Sequence, residues 1–243
     1  MLIALLFWIS SPFSSGPEPS DRETLSRQPA TNTQSNVSEP ILKIIAFGDS
    51  LTAGYGLPLN ESYPAQLERT LIQAGYPVTV INAGISGETT AGARERASFI
   101  RSQSPDLILL GTGGNDALRF LPLDNTRNNL REVLSILTGS SDGAPPEVFL
   151  LRIQAPGNAG NAFKQQFDAL YPALANEFNI KLVPFVVEEV FQNSERMLED
   201  GIHPNAEGYA WLVKNHIYPA IINWLDHSQQ IHSDKSTKSD TSF

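Results

Sequence analysis

Five short apolar runs restrict this chain more than any other feature. They are Ile41–Phe47, Pro77–Ile81, Leu107–Leu110, Val148–Ile153 and Lys181–Val187. Near-continuous apolar strands have both faces covered, which suits a parallel sheet packed between helices. Segments of helical periodicity fill the gaps. One opens at Ser62 as cap, has Pro64 in its first turn, runs to about Ala74 and is stopped by Gly75. The others are Thr89–Gln103, Asn125–Leu137, Asn161–Phe178 and Ala206–Leu225. This alternation predicts an α/β layered domain with a mostly parallel sheet. Such sheets bind ligands at the carboxyl ends of their strands. Here the polar and glycine-rich residues collect in the turns that follow the strands.

The alternating pattern spans Ile41 to Leu225, enough for one domain. Ahead of it, Met1–Ile9 is an apolar run too brief to span a bilayer. It fits the apolar region of a secretory signal, with Ser14, Ser15 and Gly16 near a cleavage site, although no Lys or Arg precedes it. Residues 1–16 are therefore read as a signal peptide or membrane anchor. The domain behind them is expected outside the cytoplasm, in a periplasm or beyond. Residues 17–40 are rich in Ser, Pro, Thr, Gln and Asn, and are read as a disordered linker. Residues 226–243 are read as a flexible tail. The net charge of −9, with no basic run, argues against a nucleic-acid partner. The chain has no Cys, which removes thiolate nucleophiles, disulfides and cysteine-based metal sites.

Three turns carry residues with chemical potential. The first run ends in Gly48-Asp49-Ser50-Leu51, followed by Thr52-Ala53-Gly54-Tyr55-Gly56. From type and place alone, Ser50 is either a helix cap or a nucleophile that a base must reach. Near the end of the domain, Asp200-Gly201-Ile202-His203-Pro204 offers a carboxylate and an imidazole three residues apart. Pro204 pushes His203 toward an extended backbone. A turn through Gly201 then either bonds Asp200 to nearby amides or brings it to one ring nitrogen. His216, His227 and His232 lie in the last helix or the tail, with no comparable carboxylate spacing. Gly87, after the second run, and Asn115, after the third, could supply a backbone and a side-chain N–H to a developing oxyanion, beside the Ser50 amide. Missing patterns narrow the field further. The chain lacks G-x-S-x-G, a P-loop, G-x-G-x-x-G and H-E-x-x-H.

Taken together and in order, Gly48-Asp49-Ser50-Leu51, Gly87, Gly114-Asn115-Asp116 and Asp200-x-x-His203 resemble the SGNH hydrolase family, also called GDSL lipases/esterases. The subgroup that it looks most like contains bacterial thioesterase I/lysophospholipases and arylesterases. The resemblance covers nearly all of Ile41–Leu225. It implies a flavodoxin-like three-layer α/β/α sandwich with a five-stranded parallel sheet. It implies Ser50 as nucleophile, His203 as base and then acid, and Asp200 as the group that orients His203. It also implies an oxyanion hole of Ser50, Gly87 and Asn115. One departure stands out: Gly111-Thr112-Gly113-Gly114 lacks the acidic residue that often precedes the paired glycines. Asp49 and Asp116 are read as loop braces.

The expected activity is hydrolysis of acyl esters or thioesters of the arylesterase, acyl-CoA thioesterase or lysophospholipase type, without metal or cofactor. The expected substrate is a small-molecule acyl donor, with peripheral lipid contact and a monomeric state. Leu118, Phe120, Leu121, Ala155, Pro156 and Gly157 are expected to line an acyl groove. Two alternatives remain open at this point: a carbohydrate O-acetylesterase or acyltransferase of the same family, and a non-catalytic flavodoxin-like binding module.

Overall fold

The computed structural model describes residues 42–140 and 144–226. The segments read above as signal, linker and tail lie outside the described residues, apart from Asp226. Five strands form one parallel sheet: β1 (Leu42–Gly48), β2 (Val78–Gly84), β3 (Leu107–Gly111), β4 (Glu147–Arg152) and β5 (Lys181–Pro184). Their spatial order is β2-β1-β3-β4-β5. This is the flavodoxin-like order, and its direction reverses at β1.

Right-handed crossovers turn that reversal into layers. The long helix of the β1–β2 crossover, α2 (Tyr63–Gln73), falls on one face and packs with α9 (Ala206–Leu212). The helices of the later crossovers, α3 (Thr90–Ser102), α5 (Leu123–Thr138) and α7 (Leu170–Phe178), fall on the other face and pack in sequence. The fold is the three-layer α/β/α sandwich. The middles of the central strands are buried: Ile44 to Phe47, Leu107 to Leu110 and Val148 to Leu151 are all at most 1% exposed. Burying one such side chain stabilises the fold by about 1.5–3 kcal/mol.

Local sequence explains the helix ends. In α2, Tyr63, Leu67 and Leu71 repeat at four-residue spacing and are fully buried. Ser62 holds the cap position, yet its hydroxyl donates backward to the Leu59 carbonyl at 2.7 Å instead of accepting from the helix. Gly75, at φ +90°, ends the helix as expected.

Three expected elements come out differently. The helix expected over 161–178 is two, α6 (Asn161–Asp168) and α7. Pro172 has no N–H to return to the Asp168 carbonyl, so the ladder breaks there. The last strand stops at Pro184 for the same reason, leaving Phe185 to Val187 in the loop after it. The final helix includes a π turn at Val213–Ile217 before resuming over residues 218–226. Beyond that turn, Trp224 meets Phe149 of β4 edge-on, with ring centroids 6.3 Å apart.

Candidate active site

β1 ends at Gly48, which is in register with Gly84 of β2 and Gly111 of β3. A Cβ on Gly48 would collide with the Gly111 carbonyl and the Thr52 hydroxyl, so only glycine fits. Immediately after it, α1 (Ser50–Ala53) is a single helical turn. Its cap is Asp49, whose Oδ1 accepts from the Leu51 amide at 3.1 Å. Ser50 is thereby relieved of capping and sits at the carboxyl edge of the sheet, beside the point where strand order reverses.

The loop from Met197 to Asn205 carries the second pair. A Met197–Pro204 bridge closes it, and the Leu198 amide donates to the His203 carbonyl at 2.8 Å. Asn205 caps α9 by accepting from the Gly208 amide. The two alternatives for Asp200 turn out to coexist on its two oxygens. Oδ1 accepts from the Ile202 and His203 amides at 2.9 and 3.0 Å, which forms the turn. Oδ2 lies 2.6 Å from His203 Nδ1. Gly201 permits this at φ +65°. His203 Nε2 in turn lies 2.8 Å from Ser50 Oγ, across 153 residues of chain. Burial alone would raise the Asp200 pKa, but the hydrogen bonds from the His203 ring and the two amides, with the electrostatic pull of His203, bring it below the usual carboxylate value.

Asn115 lies in α4 (Gly114–Leu118), a short helix after β3. Its Nδ2 donates to the Glu88 carbonyl at 3.0 Å, which orients the carboxamide. Gly87 holds φ +82°, and its carbonyl accepts from Arg119 Nη2 at 2.9 Å. Asp49 and Asp116 brace these turns, as expected. Asp49 Oδ2 accepts from the Gly114 amide at 3.2 Å, so one buried carboxyl joins the Ser50 turn to the Asn115 turn. Burial pushes its pKa up to about 7, against the pull of the Leu51 and Gly114 amides. Asp116 accepts from the Thr90 amide, the Thr90 hydroxyl and the Thr126 hydroxyl. In the turn that lacks the acidic residue, the Thr112 carbonyl accepts from the Tyr171 hydroxyl at 2.8 Å.

A cavity of about 310 Å³ opens beside Ser50 and Asn115. Residues 46–211 match the model of the GDSL-like lipase/acylhydrolase family. The chain belongs to this family.

Its relatives agree. An arylesterase of Vibrio mimicus is 37% identical over 74% of this chain and 88% of its own length. The thioesterase 1/protease 1/lysophospholipase L1 of Escherichia coli K12 is 34% identical over 75% of this chain and 80% of its own. Among solved structures, the psychrotrophic esterase EstA from Pseudoalteromonas, inhibited by monoethylphosphonate, superposes with a TM-score of 0.69. It is 28% identical, over 76% of this chain and 98% of EstA. The chain is a hydrolase of acyl esters or thioesters of the SGNH type. That removes the binding-module alternative.

Within this family member, the expected groove residues divide. Leu118, Ala155, Pro156 and Gly157 line the cavity. Phe120 is not in the lining; it is 56% exposed and its ring packs against Phe163 at 5.4 Å. Leu121 is also outside the lining, its amide bonded to the Asp116 carbonyl. Gly87 lies outside it too. The sequence reading missed a further set of lining residues, Val186, Val187, Glu188, Phe191 and Gln192. These follow β5 and include α8 (Glu188–Phe191). Placing Val186 and Val187 inside the last strand concealed them; ending that strand at Pro184 would have exposed them as a strand-end loop. Among the described residues, no cluster of three or more His, Asp or Glu could hold a metal ion, and no helix is long and apolar enough to cross a membrane.

Proposed function

We propose that Ser50, His203 and Asp200 are the catalytic triad of this hydrolase. The observation that carries the reading is the continuous hydrogen-bonded line from Ser50 Oγ through the imidazole to Asp200 Oδ2. An ionised carboxylate only accepts, so Nδ1 carries the ring proton and Nε2 is free to accept one. Ser50 attacks the acyl carbonyl as Nε2 takes its proton. The imidazolium then protonates the departing alkoxide or thiolate. Water repeats the sequence on the acyl-enzyme and regenerates Ser50.

The oxyanion is received by the Ser50 amide, the Gly87 amide and the Asn115 carboxamide. A carboxamide has two N–H donors. The Glu88 carbonyl occupies one of them and leaves the other for substrate. A fluorophosphonate probe tests the reading. One equivalent is expected to label the wild type at Ser50, and Ser50→Ala is expected to be unlabelled and inactive. Wild-type turnover by Ser50→Ala would end the assignment.

The acyl chain enters the cavity lined by Leu118, Pro156, Val187 and Phe191. An acetyl group would leave most of this apolar space to water, so longer acyl groups are favoured over acetylated sugars. Aryl esters, acyl-CoA and lysophospholipids form the panel that ranks the donors. The apolar run at residues 2–9 supports export of the enzyme. Deleting residues 1–16 is expected to keep it in the cytoplasm, as cell fractionation would report.

A further inference from the structure

The loop Gly54-Tyr55-Gly56 has so far no task. It follows α1 directly, and both glycines hold left-handed backbone, at φ +76° and +79°. The Tyr55 amide donates to the Ser50 carbonyl at 3.1 Å, so the loop folds back on the turn that carries Ser50. A Cβ on Gly56 would meet Leu198 Cδ1, which places the loop against the segment carrying Asp200 and His203. Between these two anchors the Tyr55 ring lies over the His203 ring, with centroids 4.6 Å apart and planes tilted by 39°. Tyr55 is 52% exposed, so its ring is not a core-packing element.

His203 is thus enclosed from three directions: Asp200 on Nδ1, Ser50 on Nε2 and Tyr55 on one face. The negative face of an aromatic ring attracts a neighbouring cation. We propose that Tyr55 is a positioning residue for His203, holding the imidazole in line with Ser50 and supporting the charge it takes up when Ser50 loses its proton. This rests on the triad reading above.

The test compares Tyr55→Ala, Tyr55→Leu and Tyr55→Phe with wild type and Ser50→Ala. Tyr55→Ala is expected to lower kcat and the rate of fluorophosphonate labelling by about threefold to thirtyfold, with KM within twofold. Tyr55→Leu, which keeps bulk without a π face, is expected to stay slow. Tyr55→Phe is expected to restore most of the rate. Wild-type kcat in Tyr55→Ala or Tyr55→Leu, or a loss confined to KM, would overturn the role of Tyr55. Activity in Ser50→Ala would instead overturn the triad beneath it, so the two failures are separable.

Discussion

Around Ser50 and Asn115, the backbone is gripped from inside: Asp49 and Asp116, each at most 2% exposed, accept amides and hydroxyls from the turns after β1, β2 and β3. Around Asp200 and His203, the grip is made near the surface. Asp200 keeps about a third of its side chain exposed, and the same carboxylate both shapes its turn and serves the imidazole. The interior brace makes donors rigid without taking part in proton transfer. On the proposed triad, the surface clamp puts the group that orients His203 where little of the fold depends on it. Stability and turnover should therefore separate between the two regions.

The largest effect expected is on the surface side. Asp200→Asn keeps an oxygen for the turn and loses the carboxylate facing Nδ1. By analogy with other triads, kcat should fall by about 10⁴-fold, while Tm stays close to wild type. A parallel collapse of Tm in a thermal melt would break the contrast. Asn115→Ala comes next, with kcat down by about 10²–10³-fold and KM little changed, as expected for losing one oxyanion donor. Steady-state kinetics on an aryl ester decide it.

Asp116→Ala probes the interior brace. It removes an acceptor of three hydrogen bonds and leaves the Thr90 amide without that partner. Urea unfolding should show a loss of about 3 kcal/mol or more. A neutral result would mean the brace carries nothing. Asp49 gives a subtler sign. Its folded pKa of about 7 lies above the ordinary 3.8, so the unfolded chain releases this proton first. Its contribution to stability therefore declines as pH rises from about 4 to 7, by about 1.4 kcal/mol for each unit crossed, and is level above that. Asp49→Asn should flatten that part of the Tm–pH profile. The smallest effect belongs to the cavity: Leu118→Ala should shift the preferred acyl chain length, measured on a p-nitrophenyl ester series. An unchanged profile would remove Leu118 from the groove.

Much of this was visible in the residues alone. The apolar runs located all five strands, because both-face burial leaves little room for polar residues. Ser50, Asn115, Asp200 and His203 could be picked out because each sits in a turn at a strand end or beside a proline-defined bend. What was hidden depended on tertiary distance or on two overlooked prolines. Pro172 divides a helix and Pro184 truncates a strand, and both were passed over within otherwise consistent patterns. Phe120 looked like a groove residue by position, but its ring turns to Phe163. Val187 and Phe191 are ordinary apolar residues until the loop after β5 folds over the cavity.

The π turn at Val213–Ile217 makes the count of residues in that span a matter of orientation. Taking one extra residue into a helix rotates everything downstream by roughly 100° about the axis. Here that rotation aims Trp224 at the sheet. An editor who shortened the span by a single residue to tidy the helix would swing the indole away from Phe149 and undo its contact with the sheet.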